Sequence, residues 1–127
     1  MKRKDFILHL IGEISSYILE GDPMRMVISL HQEKDGLHLA ILDDNSHTDD
    51  EIVKIEKALN SRKRPELAGY YGAMTGRDLL GSSQLDLLGW QIKYADVERT
   101  DSGIKIDLWL GGEKFESAQF SIPDEAR

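Results

Sequence analysis

Apolar residues recur at Ile7, Ile11, Ile14 and Ile18, a spacing that lines one face of a helix. Gly21-Asp22-Pro23 follows, and a glycine with a proline close behind it stops a helix. The pattern predicts a helix from Asp5 to Glu20. The period then changes to two. Met26, Ile28 and Leu30 alternate with Val27, Ser29 and His31, and beyond Asp35-Gly36 the residues Leu37, Leu39 and Ile41 alternate with His38, Ala40 and Leu42. That is a β-hairpin. Turning it on Asp35-Gly36 pairs Glu33 with His38 and Leu30 with Ile41, which gathers Ile28, Leu30, Leu39 and Ile41 on one face. His31, Glu33 and His38 fall on the other face, expected to be wet.

The polar run Asp43-Asp44-Asn45-Ser46-His47-Thr48 ends the hairpin. Thr48 or Asp49 can cap a helix whose apolar positions are Ile52, Ile55 and Leu59, closed by Asn60-Ser61. From Glu66 to Leu80 a helical tendency is interrupted by Gly69, Gly72 and Gly76, each costly inside a helix, which suggests a partly helical lid. Gly81-Ser82-Ser83 opens a further expected helix carrying Leu85, Leu88 and Ile92, with Gly89 inside it as a place of close packing. From Asp96 to Leu110 the alternation returns, and charge selects the register: pairing Val97 with Ile106 sets Glu98 opposite Lys105, whereas a slip of one opposes Arg99 and Lys105. Beyond Gly111 the chain is polar apart from Phe115, Phe120 and Ile122, a tail suited to an edge strand or to docking on a partner.

One-sided alternation in both hairpins predicts an α+β fold, a two-layer sandwich with a mostly antiparallel sheet and helices on one face. The expected organisation is one domain over residues 1–110 with residues 111–127 as its C-terminal extension. Its core should join Ile28, Leu30, Leu39, Ile41, Ile106 and Leu108 to Ile11, Ile14, Leu85 and Leu88.

Composition narrows the chemistry. The 127 residues contain no cysteine, which removes disulfides, thiolate metal sites and cysteine nucleophiles and fits a reducing, cytoplasmic setting. A net charge of −7 opposes a large nucleic-acid interface; Arg62-Lys63-Arg64 is the one basic cluster. The stretch after Met1-Lys2-Arg3-Lys4 is broken by His9, Gly12 and Glu13, unlike a signal peptide, and no stretch is long enough to span a bilayer. Asp43, Asp44, His47, Asp49 and Asp50 supply metal-binding atoms, but their spacing matches neither an EF-hand loop nor a zinc helix motif.

The order of helix, hairpin ending in an acidic loop, glycine-bearing lid, glycine-opened helix and closing hairpin resembles the GHKL superfamily of gyrase-like, chaperone-like and histidine-kinase-like ATPases over roughly residues 5–110, most of all its small anti-sigma-factor and serine-kinase branch. The run from Leu59-Asn60-Ser61 through Pro65-Glu66-Leu67 to Tyr70-Tyr71 adds to that likeness. The resemblance implies a Bergerat-like ATP-binding fold and assigns places to individual residues. The magnesium-binding asparagine of the first helix maps near Ser15 and Ser16, with Glu13 one turn earlier as the candidate base; a serine hydroxyl is a poorer magnesium ligand than an amide oxygen, so magnesium binding is weakened. The adenine-binding Asp-x-Gly-x-Gly motif maps to Asp43-Asp44-Asn45-Ser46-His47: the aspartate is kept, Asn45 and His47 replace the glycines, and His47 adds bulk. The phosphate-binding helix start maps to Gly81, Ser82 and Ser83.

Together these imply a regulatory protein with a degenerate kinase-like pocket, sensing ATP weakly or acting through recognition of a protein partner, in which a homo-oligomer is also accommodated. The rival readings are an active Mg-ATP-dependent protein-serine kinase using Glu13, Ser16 and Asp43, and a non-catalytic scaffold.

Overall fold

The computed structural model describes residues 3–60 and 89–121. The expected lid, the helix start at Gly81-Ser82-Ser83, the basic triplet at 62–64, Tyr70-Tyr71, and the core positions Leu85 and Leu88 lie outside the described residues. Helix α1 (Arg3–Leu19) buries Phe6, Ile7, Leu10, Ile14 and Ile18, and Ile11 packs half-buried beside them. Its last turn closes through Gly21 N–H to Ile18 O at 3.1 Å and Asp22 N–H to Leu19 O at 3.0 Å. Asp22 then takes a left-handed φ of 54°, a conformation that reverses the chain at a helix end.

Strands β1 (Met26–Glu33) and β2 (Gly36–Asp43) form the first hairpin, helix α2 (Asp49–Asn60) follows, and β3 (Gln91–Arg99) and β4 (Ile104–Gly111) form the second hairpin. The sheet order is β1-β2-β4-β3, with every pairing antiparallel. Leu37, Leu39 and Ile41 of β2 lie beside Leu110, Leu108 and Ile106 of β4, and this face is packed by α1 and by Ile55, Ala58 and Leu59 of α2. Burial of such side chains contributes roughly 1.5–3 kcal/mol each. The molecule is therefore α+β, with both described α-helices on one face of an antiparallel sheet. Among the described residues no helix is long and apolar enough to cross a membrane.

The second hairpin has the register that charge selected, with Val97 opposite Ile106 and Glu98 opposite Lys105. The first hairpin is shifted by two residues from expectation. Glu33 pairs with Gly36 and Leu30 with Leu39, so the loop is Lys34-Asp35 and Gly36 is the first residue of β2. A residue far away in sequence closes over this end of the hairpin: the Phe115 ring packs over Gly36 and Gly111, where a Cβ on either would collide with it. A shift of two keeps every side chain on its expected face. Even so, Leu30 remains 37% exposed and Ile28 only half-buried, because β1 is an outer strand.

Three further expectations are corrected. Gly89 and the residues after it do not continue a helix: Gly89 has φ +68°, a Cβ there would meet nothing within 4 Å, and β3 begins at Gln91. Ile92 is wholly buried in that strand, opposite Leu110. The helix-like spacing of Leu85, Leu88 and Ile92 thus ran across a turn. Next, the second sheet face is not simply wet. His38 is buried, its ring stacked on Trp109 at 3.9 Å and 8°. Residues 112–121 fold back over this face, Phe120 meeting Trp109 edge-on at 5.0 Å and His31 at 5.0 Å. His31 is consequently half-covered, not free in solvent.

Candidate functional site

Asp43 closes β2 where the hairpin, the start of α2 and the β3–β4 turn meet. Its side chain is fully buried. One carboxylate oxygen accepts the Ile104 N–H at 3.1 Å and the other lies 2.9 Å from His47 Nε2; since a carboxylate only accepts, the imidazole Nε2–H donates. The turn that carries Ile104 is itself fixed, by Thr100 N–H to Gly103 O at 2.8 Å and Gly103 N–H to Thr100 Oγ1 at 3.0 Å. Gly103 passes so close to the Asp43 carbonyl that a Cβ there would collide with it. Backbone and carboxylate of Asp43 therefore both seat the same turn.

His47 lies in the loop before α2. Thr48 caps that helix: Glu51 N–H donates to Thr48 Oγ1 at 3.1 Å, and the Thr48 N–H returns to Glu51 Oε1 at 3.3 Å, a reciprocal capping box. The Thr48 N–H is the leading reason the Glu51 carboxyl titrates below its ordinary value; partial desolvation opposes it, and the Thr48 hydroxyl and the His47 charge add to the lowering. Glu51 Oε2 stands 3.5 Å from His47 Nδ1. That nitrogen is buried and has no hydrogen-bond partner among the described residues, so Glu51 supplies charge there without a bond. The loop is tied down on its other side by Arg25 N–H to Asp44 Oδ1 at 3.1 Å and by the Asn45 amide packed on Gly21.

Of the residues singled out from sequence, Asp43 and Asn45 stand in this cluster. Glu13 does not: its carboxylate faces His9 Nε2 at 3.9 Å on α1. Ser16 is exposed, and no hydrogen bond among the described residues links it to Asp43. Gly81, Ser82 and Ser83 lie outside the described residues. A cavity of about 210 Å³ beside Asp43 is lined by Arg25, Val27, Leu42, Asp43, Asp44 and Ser102. With both oxygens engaged and no exposed surface, the Asp43 carboxylate does not fit the part of an open acceptor for an adenine amino group. Among the described residues no group of three or more His, Asp or Glu side chains could hold a metal ion.

A second cluster went unseen in the sequence. His38 Nε2 lies 2.9 Å from Asp107 Oδ1, both residues are buried, and Lys105 Nζ is 3.8 Å from the other Asp107 oxygen. His38 faces Trp109 across the β2–β4 ladder, so Asp107 is its diagonal neighbour. The available signal was that Lys105, Asp107 and Trp109 share one strand face, an amphipathic stripe that needed a covering layer. No protein-family model matches the sequence, and no curated protein is significantly similar to it.

Proposed function

We propose that this chain is a regulatory protein that acts by recognising a protein partner, on a Bergerat-like fold whose adenine position has become an internal clasp. The observation that carries this reading is the state of Asp43. In the ATPases that the chain resembles, an aspartate at this place receives the adenine amino group; here its two oxygens hold His47 and the Ile104 N–H instead. His47 is the residue that stands in place of the motif's second glycine, so one substitution both removes the glycine and supplies the imidazole that occupies the carboxylate. The kinase reading needs Glu13, Ser16 and Asp43 to converge on one Mg-ATP; Glu13 beside His9 and the buried Asp43 give it no support.

Binding of any ligand to the folded state raises its melting temperature by mass action. The purified chain is expected to melt at the same temperature with and without millimolar Mg-ATP, and to co-purify from its own cells with a different polypeptide in fixed proportion whether or not ATP is added. A rise of several degrees with ATP would restore the nucleotide-sensing reading.

A further inference from the structure

The sheet has two outer strands, and they are finished differently. On β3 the register is broken between Ile92 and Tyr94, a bulge at Lys93, and charged residues follow at Asp96, Glu98 and Arg99. Its outward backbone is also satisfied by α2: Val97 N–H donates to Glu56 Oε2 at 3.3 Å and Ala95 O accepts from Asn60 Nδ2 at 3.1 Å. Bulges, charges and a covering helix are the means by which a sheet edge is kept from pairing.

Among the described residues β1 has no bulge and no helix along its outer backbone; its one charged residue, Glu33, stands at its end, where the Arg3 guanidinium donates to the Glu33 carbonyl at 2.8 Å. The strand's sequence, Met-Val-Ile-Ser-Leu-His-Gln-Glu, contains no proline, glycine, lysine or arginine, and its register with β2 is unbroken over eight residues. Glu33 and Gly36 flank the two-residue loop and so exchange hydrogen bonds, as do the alternate pairs down the ladder. The N–H and C=O groups of Met26, Ile28, Leu30 and Gln32 therefore point outward, and none of them has a hydrogen bond among the described residues. On the same strand Leu30 is 37% exposed.

We infer that β1 is a homodimer edge, pairing antiparallel with β1 of a second copy about a two-fold axis at Ser29. Outward-pointing residues must meet outward-pointing residues, which allows only registers centred on a residue. The centre at Ser29 sets Ile28 opposite Leu30, twice, extending the helix-side apolar layer across both copies, and sets Arg25 opposite Glu33 at each end. Centring on Leu30 instead opposes Val27 to Glu33 and Met26 to Lys34, and centring on Ile28 opposes Arg25 to His31. Within Arg25–Glu33 the Ser29 centre sets no apolar residue opposite a charge and joins cation to anion at both ends. Glu33 Oε1 accepts the Ser121 N–H, leaving its other oxygen for the arginine. The resulting sheet is continuous through eight strands, and the fold of each copy is unchanged.

The test is sedimentation and cross-linking on the whole chain. Wild type should show a concentration-dependent species of twice 14.4 kDa. At the two-fold centre Ser29 faces its own copy in a non-hydrogen-bonded pair, with Cα atoms about 4.5 Å apart, a span that a disulfide closes. Because the chain has no other cysteine, Ser29→Cys should give a covalent dimer under mild oxidation. Leu30→Lys, at an exposed position that leaves the β1–β2 ladder intact, should weaken the dimer roughly ten- to hundred-fold. Arg25→Glu should weaken it and Arg25→Glu/Glu33→Arg restore it. A wild type that stays monomeric into the submillimolar range would overturn the inference. So would a folded Leu30→Lys chain that dimerises like wild type, or a dimer in which Ser29→Cys does not cross-link.

Discussion

Two buried aspartates in this molecule each receive a histidine Nε2 at 2.9 Å, yet they hold different things. Asp43 joins a loop residue four positions away to a backbone N–H sixty-one positions away, so it fixes where the acidic loop and the β3–β4 turn lie. Asp107 joins one strand to its neighbour and faces Lys105 with its other oxygen, while its histidine stacks on Trp109 beneath Phe120. The first pair positions backbone; the second makes a polar floor beneath an aromatic cover. The same chemistry therefore serves a rigid clasp at the sheet's end and a packed layer on its face, and neither carboxylate is open to solvent.

Removing the acceptor separates the two most strongly. Asp107→Ala leaves the buried His38 without its acceptor and the half-buried Lys105 without its anion; stranding a buried polar group costs about 1–3 kcal/mol, and more where a charge is involved, a loss that denaturant unfolding should show. Asp107→Asn should recover much of it, because an amide oxygen still accepts from the imidazole. At the clasp the conservative change is less forgiving. Asp43→Asn keeps one acceptor but presents an NH₂ group to either Ile104 N–H or His47, and should cost about 1–3 kcal/mol in the same measurement. If Asp43→Asn proved harmless and Asp107→Asn severe, the assignment of rigid clasp and packed layer would have to be exchanged.

Smaller effects sharpen the picture at the clasp's rim. Thr48→Ala removes the cap of α2 and should cost about 1 kcal/mol. Glu51 is held below its ordinary carboxyl range in the folded state. A group with a depressed folded pKa stabilises above its unfolded pKa, and that contribution is lost as pH falls through the folded value. Glu51→Gln should therefore be slightly less stable than wild type near neutrality, the difference closing in acid below the usual glutamate range. The effect is small because the carboxylate is half-exposed and screened by solvent.

What was legible in the sequence was local. The face of α1, the Thr48 cap and the β3–β4 register follow from residues within a few positions of each other or from charges in one hairpin. The β1–β2 faces survived a wrong register because the error was an even number of residues. The burial of His38 was not legible because it depends on which strand lies beside β2 and on residues 112–121 folding back, facts set by contacts some seventy to eighty positions away. The place of Ile92 in β3 was not legible because Leu85, Leu88 and Ile92 keep helical spacing across Gly89, whose left-handed backbone stands two residues before the strand. At the candidate site, Asp43 was legible as a strand-end carboxylate, but its Ile104 partner belongs to a turn that no local pattern brings to it.

Both oxygens of the Asp43 carboxylate are engaged within the fold, and the proposed reading requires that they stay so in the presence of nucleotide. The most direct measurement is an NMR titration of the isotopically labelled chain with ATP, following the Ile104 amide and the His47 ring nitrogens. The clasp predicts that neither moves at millimolar nucleotide, and that the Ile104 amide exchanges as slowly with ATP as without. Saturable shifts of both signals, abolished in Asp43→Asn, would show the aspartate turning to the base and would overturn the clasp.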